Sequence, residues 1–212
     1  MKCFSTLKLV LLSILLTSTA RAAIGISADV GVRSVNPNAL NGTSTVDALQ
    51  IKSEITYGVE IRHKGRIPIG LRFDNESAGK TATLAGAPAE RKFNANWLSL
   101  IAGYTFLGET ATGWQASLVG QYGLLNSSKV TITDSINNFS NVTGKTASSY
   151  GAQVEVQKAW SHFVLGLQLG YLQRKVSDFE ATPGSFINDA KGNRLEVDVS
   201  GPITNLIVGF RF

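Results

Sequence analysis

Hydrophobic and polar residues alternate without interruption over the end of the chain. One parity carries bulky apolar side chains, at Leu206, Val208, Phe210 and Phe212, and the other carries Ile207, Gly209 and Arg211. A period of two predicts a β-strand with one apolar face. Because a terminal strand otherwise presents an unpaired edge, this strand is expected to pair with a neighbour.

Earlier segments of the chain alternate in the same way, and each has about the length of a tilted membrane-spanning strand, roughly 9–11 residues. They are residues 23–33, 51–62, 67–74, 93–104, 113–124, 149–157 and 162–173. In the fourth segment Phe93 and Trp97 have the opposite parity to Leu98 and Leu100. With the terminal strand, these segments predict an eight-stranded all-β protein.

The connections between these strands alternate between short and long. Residues 63–66, 105–112 and 158–161 are short connections, whereas residues 34–50, 75–92, 125–148 and 174–201 are long and polar. Tight turns on one side and longer loops on the other are typical of transmembrane β-barrels. A soluble meander gives no reason for such strict alternation.

The parity of the last long connection predicts a local irregularity. Leu195, Val197 and Val199 alternate as a strand, but their odd numbering does not match the even numbering of the apolar face that ends at Phe212. Gly201-Pro202 lies between the two runs. A β-bulge at that point is expected to reset the face.

The N-terminus has the pattern of a secretory signal peptide. Lys2 and Lys8 come before an apolar stretch at residues 9–16, and Ala20-Arg21-Ala22 is a small-x-small cleavage site. We expect cleavage between Ala22 and Ala23, which leaves a signal peptide at residues 1–22 and one domain at residues 23–212. An uncleaved anchor is the alternative, but the apolar stretch falls short of the roughly 20 residues that span a bilayer.

Composition excludes several classes of function. The single cysteine, Cys3, lies in the predicted signal peptide, so no disulfide or thiolate chemistry is expected in the mature chain. Basic residues exceed acidic residues, 20 to 15, but part of that excess lies in the signal peptide, which leaves no case for nucleic-acid binding. The two histidines, His63 and His162, fall at short turns and form no metal-ligand or triad pattern. We therefore expect no enzyme activity, no cofactor and no metal.

The face opposite the aliphatic residues is rich in charged side chains. A soluble barrel would put the aliphatic face inside, whereas a membrane barrel puts the polar face inside. The near-absence of charge on the aliphatic face favours the membrane arrangement, since Lys or Arg at mid-bilayer costs about 2–4 kcal/mol. The interior charges are then expected to be Asp29, Glu54, Glu60, Arg62, Arg72, Asp74, Glu155 and Arg211.

An interior of eight strands is just wide enough for side chains to fill it. Confined charges have to pair or change their protonation state. We expect an Arg–carboxylate network that is structural rather than an ion path. Aromatic residues fall into two groups that predict membrane interfaces. Trp114, Trp160, Phe163, Phe210 and Phe212 lie near the short turns; Trp97, Tyr122, Tyr150 and Tyr171 lie near the long connections; Tyr57 fits neither group.

Together, the export signal, the alternating strands, the connection pattern and the terminal Phe212 resemble the small eight-stranded outer-membrane proteins of the OmpA/OmpX type. The resemblance covers essentially the whole mature chain, as architecture. It implies an eight-stranded antiparallel up-and-down transmembrane β-barrel with short periplasmic turns and long extracellular loops. Some relatives carry a periplasmic domain, which we do not expect here because the sequence stops at the barrel. In that family a final strand ending in Phe resembles the signal read by the barrel-assembly machinery, which assigns this role to Phe210 and Phe212.

The function implied is that of a non-enzymatic integral protein of the bacterial outer membrane. It is expected to contact outer-membrane lipid and lipopolysaccharide, and to serve envelope integrity or surface recognition of an extracellular ligand. Residues 129–146 and 178–194 are the expected contact surfaces. The alternative is transport, through a narrow channel or as a conduit for small hydrophobic compounds.

Overall fold

A computed structural model describes residues 23–35, 37, 51–84, 87–108, 112–133, 138–189 and 192–212 of the chain. Ala22 and the rest of the predicted signal peptide lie outside the described residues, so cleavage there stays a prediction. Ala23 is the first residue of the first strand. Among the described residues, no helix is long and apolar enough to cross a bilayer.

The described part of the chain forms β-strands joined by turns. The strands are β1 (Ala23–Ser34), β2 (Ser53–Lys64), β3 (Ile69–Leu84), β4 (Ala87–Leu107), β5 (Gly113–Thr133), β6 (Asn138–Thr143), β7 (Thr146–Trp160), β8 (Phe163–Ser177), β9 (Glu180–Thr182), β10 (Ser185–Phe186), β11 (Val197–Asp198) and β12 (Gly201–Arg211).

Eight of these strands close into a barrel. Neighbours in the order β1, β2, β3, β4, β5, β7, β8 and β12 are hydrogen-bonded and antiparallel, and β12 returns to pair with β1. The closing ladder runs from Gly25 opposite Arg211 to Arg33 opposite Ile203. The predicted eight-stranded barrel is therefore confirmed, and its terminal strand is paired on both sides.

The pleat of each strand separates a polar interior from an aliphatic exterior. In β2 the buried positions are even-numbered and polar, and the exposed positions are odd-numbered and apolar, as at Glu60 and Ile61. Leu124 and Val32 are more than half exposed, at 61% and 57%. So much exposed aliphatic surface suits hydrocarbon rather than water, which is the polar-inside arrangement of a membrane barrel.

The long connections contain more β-strand and less loop than the sequence pattern indicates. The predicted loop at residues 75–92 is mostly strand, because β3 and β4 continue to Leu84 and Ala87. β5 likewise continues to Thr133, and β6, β9, β10 and β11 lie within the other two predicted loops. The physical reason is that the outward face of these extensions is polar, while the inward face remains apolar, as at Ala78 and Ile132.

The bulge predicted at Gly201-Pro202 is wrong. β11 pairs with β8 at Val197 opposite Val176, and β12 continues the same register at Gly201 opposite Leu172. The apolar run that includes Val197 therefore faces inward like the odd-numbered residues of β12. No change of face is needed, because the apolar side chains at this end pack inside the barrel mouth and not against lipid.

Candidate functional site

Arginines and carboxylates alternate in a connected network inside the barrel. At the long-connection end, Nε of Arg33 lies 2.7 Å from Oε1 of Glu54. Glu76 accepts hydrogen bonds from both Arg33 and Arg174. Arg174 also donates to Oδ2 of Asp74 over 2.7 Å. All five side chains are buried, so each charge depends on its partners and not on solvent.

Arg72 forms the middle of the same network. It donates through Nε to Asp74 over 2.5 Å and through Nη2 to Asp29 over 2.7 Å. Its Nη1 lies 3.9 Å from Glu60. Gln121 adds a hydrogen bond from its amide to Asp74 over 2.8 Å.

The network continues towards the short turns through Arg62. Its Nε lies 2.8 Å from Glu60, and its Nη2 donates to Oε1 of Glu155 over 2.5 Å. This contact crosses from β2 to β7, which are not adjacent in the barrel. Arg211 lies nearer the short turns and donates to the amide oxygen of Gln115 over 2.6 Å. All eight charges expected inside the barrel are thus buried there.

Sequence reasoning left Arg33, Glu76 and Arg174 out of the interior set. Glu76 and Arg174 fall in segments that were interpreted as loops, although both keep the inward parity of their strands. The alternation Arg72, Asp74, Glu76 along β3 is the signal that identifies Glu76. Continuing each strand beyond its aliphatic residues would have found both.

An apolar cap lies above this network, at the long-connection end. Its buried side chains are Val35, Ile51, Ala78, Phe93, Ala95, Trp97, Val130, Ile132, Val142, Val176, Phe179, Ile187, Leu195, Val197 and Val199. Trp97 is fully buried in this cap, with the Arg174 guanidinium 5.1 Å from its ring centroid. The assignment of Trp97 to the outer aromatic belt is therefore wrong, because its odd parity turns it inward.

The two expected contact surfaces meet in one external structure. Thr143 of β6 pairs with Glu180 of β9, and Lys145 forms an ion pair with Glu180. Asp178 accepts hydrogen bonds from Thr146 over 2.5 Å and from Arg194 over 2.7 Å. These bonds hold the pKa of the Asp178 carboxyl below its ordinary value of 3.8, with Thr146 as the largest cause.

Aromatic side chains mark two levels on the outer wall. Near the short turns, Phe163 stacks on Trp160 and meets Phe210 edge to face, each with ring centroids 6.0 Å apart. Near the long connections, Tyr122 pairs directly with Tyr150. Tyr57 belongs to this second level, since it lies opposite Asn75, the first polar outward residue of β3. The sequence alone had placed Tyr57 at neither level.

The histidines lie at the short-turn end. His63 lies opposite Ile24 on β1 and Ile69 on β3, and Nδ1 of His162 lies 3.1 Å from the backbone oxygen of Arg211. Within the described part of the chain, no group of His, Cys, Asp and Glu side chains is placed to hold a metal ion.

Comparison with known proteins finds solved structures of similar fold. No family model and no curated protein matches the sequence. The crystal structure of Neisserial surface protein A is similar, with a TM-score of 0.51 at 10% identity over 89% of this chain and 95% of that one. The outer membrane protein OprG from Pseudomonas aeruginosa is also similar, with a TM-score of 0.51 at 14% identity over 91% of this chain and 96% of that one.

At such low identity these likenesses concern the fold alone. They agree with the closed ladder between β12 and β1, the polar interior and the exposed aliphatic wall. The chain therefore has the fold of the small eight-stranded outer-membrane β-barrel proteins.

Proposed function

We propose that this protein is a non-enzymatic integral component of the bacterial outer membrane that presents a rigid external structure to its surroundings. The observation that carries the proposal is the apolar cap, which gives the strand extensions a core of their own beyond the lipid-facing wall. Such a core holds an exposed surface in one shape, as recognition requires. Envelope integrity and surface recognition of an extracellular ligand are both served by it.

The joined external segments supply the contact surface. Residues 138–146 and 178–189 are linked by the Thr143–Glu180 pairing and by the bonds to Asp178. The turn at Pro183-Gly184 is exposed at the tip of this structure. Lipopolysaccharide would surround it, and a ligand would approach it from outside the cell.

A channel is the second candidate, and the interior argues against it. Its buried carboxylates are paired with Arg33, Arg62, Arg72 and Arg174. The cap of fully buried side chains such as Phe93 and Leu195 lies at the long-connection end. A conducting path would have to break buried ion pairs, which is costly. Conduction of small hydrophobic compounds would likewise need the cap to open.

Recordings in planar bilayers test the closed interior. The purified mature protein is expected to give no reproducible conductance. Arg72→Ala and Glu155→Gln are compared with the wild type, because these side chains lie in the middle and lower parts of the network. Steady unitary currents in the wild type, altered by either substitution, would establish a channel and overturn the proposal.

Epitope insertion tests the location and the orientation. A tag inserted between Pro183 and Gly184 should bind antibody on intact cells, because the turn is open, with no atom within 4 Å of a Cβ built at Gly184. A matched tag between Ser161 and His162, at a short turn, should bind only after the outer membrane is permeabilised. If neither tag is accessible before lysis, or if the order is reversed, the proposed surface is not external.

A further inference from the structure

A buried lysine lies at the short-turn end of the barrel interior, next to the ionic network. Lys64 is the last residue of β2, and its side chain turns inward and is only 9% exposed. Its stem crosses β1 at Gly25, since a Cβ built at Gly25 would lie 2.5 Å from Cε of Lys64. Glycine at position 25 therefore leaves the room in which this side chain extends along the inner wall.

Two arginines lie around the same glycine. Gly25 pairs with Arg62 on β2 and with Arg211 on β12. Both arginines are buried, and both repel the Lys64 ammonium group electrostatically. Three cations from two strands, one on either side of β1, therefore meet at the mouth of the barrel that faces the short turns.

The carboxylates that attract Lys64 are already engaged with an arginine. Glu155 and Glu60 interact with Lys64 electrostatically, but each forms an ion pair with Arg62, at 2.5 and 2.8 Å. Among the described residues, Lys64 itself forms no ion pair. A buried cation without an anionic partner is costly. A further negative charge at this place would therefore stabilise the barrel.

The remaining interior carboxylates cannot supply that charge. Each is ion-paired with Arg33, Arg72 or Arg174, nearer the apolar cap. These carboxylates belong to Asp29, Glu54, Asp74 and Glu76. Because the cap lies across the interior at their end, an anion would reach Lys64 from the short turns.

Polar atoms without a protein partner lie in the same region. Nη1 of Arg62 is buried and has no hydrogen-bond partner within the described part of the chain, and the same holds for Oε1 of Gln157. Gln157 is opposite Gln115, which accepts the hydrogen bond from Arg211. It also lies one inward row nearer the short turns than Glu155. The region therefore offers a charged donor and a neutral acceptor at the level of Arg211.

We propose that the short-turn mouth of the barrel binds one hydrogen phosphate ion, held by Lys64, Arg62 and Arg211. A tetrahedral oxyanion has enough acceptor oxygens for donors that come from three side chains. The hydroxyl group of hydrogen phosphate donates to Gln157, which sulfate cannot do. The site itself rests on the fold alone, whereas its exposure to the periplasm rests on the proposed outer-membrane location.

Isothermal titration calorimetry of the detergent-solubilised protein tests the site with inorganic phosphate, sulfate and chloride, at neutral pH and constant ionic strength. The wild type should bind one phosphate per chain, and more tightly than sulfate or chloride. Lys64→Met keeps the stem over Gly25 and removes the charge, so it should weaken phosphate binding about tenfold. Gln157→Glu places a carboxylate in the same row and should abolish phosphate binding, because the negative charge is then part of the chain.

Lys158→Met is the matched control. It removes a cation at the same end of the barrel, but Lys158 lies on the outer wall, with Nζ 5.4 Å from the ring centroid of Trp114 and 5.2 Å from that of Trp160. This variant should bind phosphate like the wild type.

Urea titration of the same variants gives a second measurement that does not depend on the heat of binding. Phosphate should raise the midpoint of the wild type and of Lys158→Met, and leave that of Lys64→Met unchanged. Equal shifts in all three proteins, or equal shifts by phosphate and chloride, would indicate general screening and overturn the proposal. Failure of the outer-membrane location would appear separately, in the accessibility of the epitope tags.

Discussion

The indole N–H of Trp97 donates a hydrogen bond to Oε2 of Glu76 over 2.9 Å, and this contact joins the apolar cap to the ionic network. The other carboxylate oxygen of Glu76 accepts from Arg33 and Arg174. One buried carboxylate therefore orients the largest side chain of the cap and neutralises two guanidinium groups. Packing at the barrel mouth and pairing in the interior depend on the same residue.

Glu76→Gln is expected to lower the free energy of unfolding by about 3–5 kcal/mol, because it leaves buried guanidinium groups without their shared charge partner. The amide oxygen of the glutamine still accepts a hydrogen bond from Trp97. The loss of stability therefore measures the removed charge and not a change in side-chain shape. Urea titration in detergent micelles, followed by gel mobility of the folded and unfolded forms, gives the value. Glu196→Gln is the control, since Glu196 forms an exposed pair worth about 1 kcal/mol or less. Equal stability of both variants would show that the network does not stabilise the barrel.

Gly58→Ala is expected to destabilise the barrel by about 1–3 kcal/mol through overpacking. A Cβ at Gly58 would lie 2.5 Å from both Nη2 of Arg72 and Oδ2 of Asp29, and these two side chains are ion-paired through Nη2 and Oδ1. Gly120→Ala provides the matched control, because its Cβ would make only an ordinary contact, 3.6 Å from the backbone oxygen of Ala102. The same urea titration compares the two. If Gly120→Ala lowered the free energy of unfolding as much as Gly58→Ala does, the result would contradict the tight interior packing.

The external segments are expected to separate only in strong acid. Hydrogen bonds from Thr146 and Arg194 hold the pKa of Asp178 below 3.8, so the folded form binds its proton less readily than the unfolded chain does. The stabilisation is therefore complete above the ordinary aspartate pKa and is lost as the pH falls through the lowered value. Hydrogen–deuterium exchange of residues 178–189, corrected for the intrinsic rate, should stay constant from about pH 7 to 5. Protection should then fall below about pH 4.

The Asp178→Asn variant removes the charge at this position without changing the backbone conformation. Asp178 has a φ of 55°, and asparagine tolerates that left-handed conformation as well as aspartate does. The variant should show faster exchange at neutral pH and no further change in acid. A wild-type protein that loses protection between pH 7 and 5 would indicate that another group controls these segments.

The parity of the strands explains why much of the interior was predictable. A period of two assigns a face to every residue once one position is known, which placed Arg62 and Glu155 inside. Their mutual bond was not predictable, because β2 and β7 are not adjacent and parity contains no information on which side chains meet across the interior.

The errors at Glu76, Arg174, Trp97 and Val197 have one physical origin. Polar residues beyond the aliphatic wall were interpreted as loop, whereas the outward face there meets water or headgroups and the strand continues. The sequence pattern therefore misses Glu76 and Arg174, and it assigns Trp97 to the wall although the parity of Trp97 is reversed. Val197 led to a predicted bulge for the same reason, since an apolar residue was assumed to face lipid.

The final strand ends with two phenylalanines, Phe210 and Phe212, that are expected to differ in their effect on the stability of the folded barrel. Phe210 packs edge to face on Phe163, and such aromatic pairs contribute about 0.5–1.5 kcal/mol beyond burial. Phe212 is 73% exposed, and its backbone N–H donates to the oxygen of Ile24 over 2.9 Å. Phe210→Ala is therefore expected to lower the free energy of unfolding, whereas Phe212→Ala should change it by less than about 0.5 kcal/mol.

If the terminal Phe is read by the assembly machinery, Phe212→Ala should nevertheless slow insertion. The measurement is the rate at which pulse-labelled protein reaches the heat-modifiable folded form in cells, compared with spontaneous folding of the same variant into detergent. Phe163→Ala is the control, because it removes an aromatic ring from the outer wall at the same end of the barrel without altering the terminus. Slow insertion in cells with normal folding in detergent supports a recognition signal. Equal rates for Phe212→Ala and the wild type in cells would show that the terminal ring serves only as part of the lipid-facing wall.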